Sequence, residues 1–115
     1  MKIIFKNDSA EKQFSSDHKN KWRYPKKVIE KLLATENFLQ QATSLKDVFV
    51  YPPFHFHPLK GDRKHEWAIN LGKTGFRVTL IPCKEDGTEI LSGDIMSQCA
   101  VIKIVKVTEV SNHYE

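Results

Sequence analysis

The sequence predicts an α+β fold, in which two helices of the N-terminal half pack on one face of a small, mostly antiparallel sheet of about five strands. Helical periodicity is confined to the stretch before Thr43, whereas aromatic and β-branched runs dominate from Phe54 onward. Gly72-Lys73-Thr74-Gly75 is a short glycine-bounded link of the length that joins antiparallel neighbours. Helices do not alternate with strands and no glycine-rich phosphate loop is present, which argues against a doubly wound nucleotide-binding sheet.

Element by element, Met1 to Lys6 reads as a short strand. Asp8 or Ser9 is placed to cap a helix running to about Phe14, with Glu11 three residues after Asp8 as in a capping box. Pro25 suits the first turn of a second helix, whose Val28, Leu32, Leu39 and Ile29, Leu33 build one apolar stripe ending near Ala42 or Thr43. Tyr51-Pro52-Pro53 stops helix formation, and strands are expected at Phe54–Leu59, Trp67–Leu71, Phe76–Pro82 and Ala100–Val110. The connection Glu85–Gln98 is long and acidic and is expected to be a surface excursion.

The chain of 115 residues is one domain by length, 1–115, and with 40% hydrophobic residues it is too apolar for disorder. No window approaches the ~18 apolar residues of a membrane helix, and the start is too short in apolar residues for a secretory signal, so a cytoplasmic protein is expected. Cys83 and Cys99 fit neither a C-x-x-C pair nor a zinc spacing and read as inert core thiols. The net charge of +4 is a remainder. Lys19, Lys21, Arg23, Lys26, Lys27 and Lys31 form one basic cluster, and Lys60, Arg63, Lys64, Lys73 and Arg77 form a second, interleaved with His57, His65, Trp67 and Phe76. Glu85, Asp86, Glu89 and Asp94 oppose them. Cations mixed with aromatics suit a polyanion carrying stackable bases.

Strand alternation would send Phe54 and Phe56 one way and His55 and His57 the other, with Arg77 opposing Phe76, Val78 and Leu80. A polar sheet face carrying His55, His57 and Arg77 follows. His55 and His57 could be half of a metal site, but no third ligand is near in sequence and the neighbours are cationic, so no metal and no cofactor is expected. A metal-free phosphodiester reaction needs a base for the ribose 2′-hydroxyl, cations for the crowded phosphorane and an acid for the leaving oxygen. His57, Lys60, Arg77, His113 and Tyr114 are candidates for these tasks.

The string His57-Pro58-Leu59-Lys60-Gly61-Asp62-Arg63-Lys64, followed by Trp67-Ala68-Ile69 and Phe76-Arg77-Val78-Thr79-Leu80, closely resembles HigB-type toxins of the RelE/ParE superfamily. The resemblance is specific from His57 to about Leu80 and extends to the terminal strand and its tail; before Pro53 it is architectural only. It implies a RelE-like fold and the toxin half of a bacterial toxin–antitoxin pair, cutting messenger RNA on the ribosome without a metal. Carried over, it gives His57 an acid/base role, makes Lys60 and Arg77 cations at the scissile phosphate, places His113 and Tyr114 in the catalytic tail, and has Arg63 and Lys64 hold RNA backbone; Lys73 of the second basic cluster and Asn112 are further RNA-binding candidates. Many relatives close with Asp-Tyr-His where this chain has Asn112-His113-Tyr114, and a second arginine of some relatives is replaced by the region of Ile81 and Pro82. Asn112 cannot serve as a general base.

The implied partners are a helix-turn-helix, HigA-like antitoxin, the ribosome with its message, and operator DNA through the toxin–antitoxin complex. Two other functions compete: a ParE-like inhibitor of DNA gyrase that cuts no RNA, and a non-catalytic nucleic-acid-binding module. The acid/base groups favour the nuclease, because a protein that only binds has no need of them.

Overall fold

A computed structural model describes residues 1–15, 23–63 and 65–112. Five strands form one sheet in the order β1-β5-β4-β3-β2, with β1 at Lys2–Phe5, β2 at His57–Pro58, β3 at Trp67–Asn70, β4 at Phe76–Cys83 and β5 at Ile104–Asn112. Among the described residues β1 and β5 run parallel, and β2–β3, β3–β4 and β4–β5 are antiparallel. The expected α+β architecture is therefore present, with helices α1 (Asp8–Phe14) and α2 (Lys26–Gln41) on one face. Phe14 of α1 and Val28, Leu32 and Leu39 of α2 pack with Ile69, Val78, Leu80, Val105 and Val107 in one core. Thr35 completes the buried stripe of α2, while Leu33 is 49% exposed and lies outside it.

Local chemistry moves several boundaries from their expected places. The cap of α1 is Asn7, one residue earlier than expected, whose Oδ1 accepts the Ala10 amide at 2.8 Å. Pro25 stands just ahead of α2, where its missing N–H costs nothing. Helical structure resumes after Thr43 in a one-turn helix α3 at Lys46–Phe49, and Pro52–Phe54 adds a 3₁₀ turn where a stop was expected. The expected strand Phe54–Leu59 shrinks to His57–Pro58, because His55 adopts the left-handed conformation at φ 45°, ψ 45° and breaks the extended run. Likewise Cys99–Val101 forms a 3₁₀ turn, and β5 begins at Ile104 and continues to Asn112. The Glu85–Gln98 excursion holds a tight turn, with Lys84 N–H bonded to Thr88 O at 2.8 Å, and a short helix α4 at Ile95–Gln98 capped by Asp94.

Two devices shape β5. Between Thr79 and Leu80 the β4–β5 register slips, so that Thr79 faces Glu109, Leu80 faces Val107 and Thr108 is the extra residue of a bulge. Beyond Val107, β5 has outrun β1, and the Val110 amide is met by the Gln13 side-chain oxygen at 2.9 Å. Helix α1 thus closes part of a strand edge that would otherwise be open to another chain. Cys83 and Cys99 are free and buried, and burial pushes the Cys83 thiol up. Among the described residues no helix is long and apolar enough to cross a membrane.

Candidate nucleic-acid interface

The face of the sheet opposite the helices is organised in rows by strand register. His57 pairs with Ala68, Ala68 with Thr79, and Thr79 with Glu109, which makes one row across four strands. The adjacent row is Asn70, Arg77 and Ser111. His57 and Arg77 therefore project on the same face, two strand spacings and one side-chain step apart, or about 12 Å between backbones.

His57 is held by its own chain. The 3₁₀ turn Pro52–Phe54 ends in the left-handed His55, and the His55 carbonyl meets Nδ1 of His57 at 2.6 Å. A carbonyl can only accept, so Nδ1 carries the proton and Nε2 of the neutral ring is left as an acceptor. On the core side, Phe56 stacks on Trp67 at 4.9 Å between centroids, and Phe49 of α3 meets both rings edge-on. That three-ring cluster anchors the short β2 strand from below. Of the pair His55 and His57, only His57 lies in the sheet. Among the described residues no group of three or more His, Cys, Asp or Glu side chains comes together.

Arg63, expected to hold RNA backbone, is ion-paired on two sides. Its Nε and Nη2 donate to the two carboxylate oxygens of Glu66 at 2.7 and 2.8 Å, its Nη1 meets Glu109 at 2.7 Å, and Nη2 also donates to Thr79 Oγ1 at 3.1 Å. Thr108 Oγ1 donates to Glu66 Oε1 at 2.6 Å, which leaves Thr79 to donate its hydroxyl proton to Thr108, also at 2.6 Å. Every hydroxyl in this chain gives one proton and accepts one bond. The small side chain of Ala68 in the same row leaves room for the guanidinium to lie over the strands, and Thr79 is fully buried beneath it. The Glu66 hydrogen bond holds the Arg63 guanidinium well above its ordinary range, and Arg63 in turn holds the Glu66 carboxyl below its own, against the opposing effect of burial.

The network closes a loop. Leu59 N–H bonds to Glu66 O at 2.9 Å, so residues 59–66 leave and rejoin the edge of the sheet, with Lys60 exposed on the first step and Gly61–Arg63 in a 3₁₀ turn. Arg63 ties that loop to β4 and β5. Lys73 is exposed in the turn between β3 and β4, and Asn112 ends β5 opposite Phe76. Lys64, His113 and Tyr114 lie outside the described residues, as do Lys19 and Lys21 of the first basic cluster. Glu66, Thr79, Thr108 and Glu109 were not anticipated from sequence. The one available signal was Glu66 three residues after Arg63; the threonines meet only because of the β5 bulge.

The sheet order, the helices on one face and the parallel β1–β5 pair give an α+β fold of the kind found in a solved YoeB/ParE toxin. Among solved structures the chain is similar to the YoeB/ParE toxin from Agrobacterium tumefaciens, with a TM-score of 0.52 and 16% sequence identity over 99% of this chain and 100% of that one. No protein-family model matches the chain, and no curated protein sequence does.

Proposed function

We propose that this protein is the toxin of a type II toxin–antitoxin pair and acts as a HigB-like, ribosome-dependent endoribonuclease on messenger RNA. The observation that carries the reading is the held imidazole: His57 has Nδ1 tied to a carbonyl and Nε2 left as an acceptor, on the face and beside the row that bear Arg77. In this reading Nε2 of His57 takes the proton of a ribose 2′-hydroxyl, and the 2′-oxygen attacks the adjacent phosphorus. The 5′-oxygen of the next nucleotide leaves with a proton from an acid in the tail, His113 or Tyr114. The products are a 2′,3′-cyclic phosphate and a 5′-hydroxyl. Lys60 and Arg77 offset the charge that gathers on the phosphorane oxygens. Lys64, Lys73 and Asn112 hold flanking RNA, and Arg63 supports the loop carrying Lys60 in place of touching phosphate.

The fold similarity supports this reading at the level of the toxin class, and the acid/base groups on the open face support the nuclease within it. A helix-turn-helix, HigA-like antitoxin would neutralise the toxin, cover this face or the acidic Glu85–Gln98 excursion, and bring operator DNA to the complex. Because the similar structure carries ParE in its name, gyrase inhibition is the second reading. Purified protein added to a translating extract is expected to produce new message ends that a chelator does not suppress, and to leave gyrase supercoiling untouched. Intact messages together with blocked supercoiling would transfer the protein to the second reading.

A further inference from the structure

We propose that Lys31, Tyr51 and Asn70 form a subsite for one nucleotide of single-stranded RNA beside the open face, an inference that rests on the RNA-binding part of the reading above. A cleft of about 100 Å³ lies between α2 and the Tyr51–Phe54 segment, with Lys31, Phe38, Tyr51, Phe54, Asn70 and Gly72 on its walls. Its floor is a three-ring cluster in which Phe38, Tyr51 and Phe54 lie 4.8 Å from one another, centroid to centroid. Phe54 is buried, but Tyr51 is 41% exposed and offers a ring fixed from behind by the other two. A fixed aromatic surface stacks an unpaired base of any identity.

The cation of the cleft is equally well placed. Lys31 stands on α2, and its aliphatic chain runs across Gly72, where an added Cβ would lie 3.0 Å from Lys31 Cε and 3.6 Å from its Nζ. Gly72 is also at φ +60°, so the turn favours glycine there, and the flexible end of Lys31 packs over it. The Lys31 ammonium thus lies at the Gly72 wall of the cleft. Asn70, on the same wall, is the register partner of Arg77. At its Asn70 wall the cleft therefore comes within one strand spacing, about 4.8 Å between backbones, of Arg77. A base on Tyr51, its phosphate on Lys31 and its edge or sugar on the Asn70 amide would follow. An acidic peptide matches the same cation and ring, but a polynucleotide also has a use for a second cation, Arg77, one strand away from Asn70.

The test uses the full chain and a single-stranded six-nucleotide RNA with 2′-O-methyl sugars, which lacks the nucleophile and is not cut. Titration followed by amide NMR shifts is expected to move Tyr51, Asn70 and Gly72 together with Arg77. Tyr51→Ala should weaken binding about five-fold or more while Tyr51→Phe retains it, and Lys31→Ala should lower the salt slope by about 0.7. Gly72→Ala should weaken binding by displacing Lys31. Equal affinity of Tyr51→Ala and wild type, with no shift at Tyr51 or Asn70, overturns the subsite; shifts there only with an acidic peptide overturn its assignment to RNA. Binding here without cleavage in a translating extract would leave the subsite and remove the nuclease. Cleavage that is indifferent to Tyr51 and Lys31 would do the reverse.

Discussion

The Arg63 guanidinium is neutralised from both sides, by Glu66 and by Glu109, and this one residue changes how the basic string reads. Spacing alone cannot tell a cation that faces solvent from one that crosses strands to reach a carboxylate on β5. Removing it should destabilise the protein by about 1–2 kcal/mol, because Glu66 is left partly buried with a lost partner. Urea denaturation of Arg63→Ala measures this, and a change below ~0.3 kcal/mol would contradict the network. The Glu66 carboxyl is held below its usual value of 4.5, chiefly by Arg63. Its folded value lies below its unfolded one, so the contribution is complete above about pH 4.5 and is lost as pH falls through the lowered value. Glu66→Gln is therefore expected to lower stability at neutral pH and to flatten the acid limb of the stability profile. At His57 the expectation concerns rate: His57→Ala should lower RNA cleavage at least ~100-fold with little effect on the thermal midpoint.

Elements were legible wherever local pattern and tertiary packing agree. Helix α2, strands β3 and β4 and the glycine-bounded turn between them lie close to where periodicity puts them. The failures share one cause, which is local backbone chemistry overriding side-chain pattern. Phe54 to Leu59 has the composition of a strand, yet Pro52 and Pro53 initiate a 3₁₀ turn and His55 reverses the chain in a left-handed step. That step keeps Phe54 buried and sends the His55 carbonyl to His57. A β-branched residue at position 55 should cost about 1–2 kcal/mol relative to glycine, since left-handed backbone disfavours a branched Cβ. Comparing His55→Val with His55→Gly in urea separates the backbone effect from loss of the side chain; equal stabilities would contradict it. The cover of β5 by α1 is a second element-scale device. Gln13→Ala leaves the Val110 amide without that acceptor and should cost about 1 kcal/mol, read as faster exchange of that amide.

For the whole molecule, the distribution of charge was readable in the chain and its consequences needed the fold. The acidic residues near 85–94 serve local purposes: Asp86 closes the turn on Thr88, Asp94 caps α4, and Glu89 pairs with Lys106 at 3.2 Å. On the open face, the sheet sets His57 of β2 and Arg77 of β4 on one side and adds carboxylates that sequence distance had hidden, as Arg63 of the 59–66 loop reaches across to Glu109 of β5. The order of strands, with β1 inserted at the edge beside the last strand, was likewise beyond periodicity, because pairing between chain ends leaves no local mark. The central claim is that this face cuts RNA through the RNA's own 2′-hydroxyl. Its most direct test is the chemistry of the cut end in a translating extract, with wild type, His57→Ala and Arg77→Ala compared on one message. A 2′,3′-cyclic phosphate facing a 5′-hydroxyl, a steep loss in both variants, and no cut where the mapped nucleotide is 2′-deoxy are expected. A cut that persists at the 2′-deoxy nucleotide, or an intact message with wild-type protein, would contradict it.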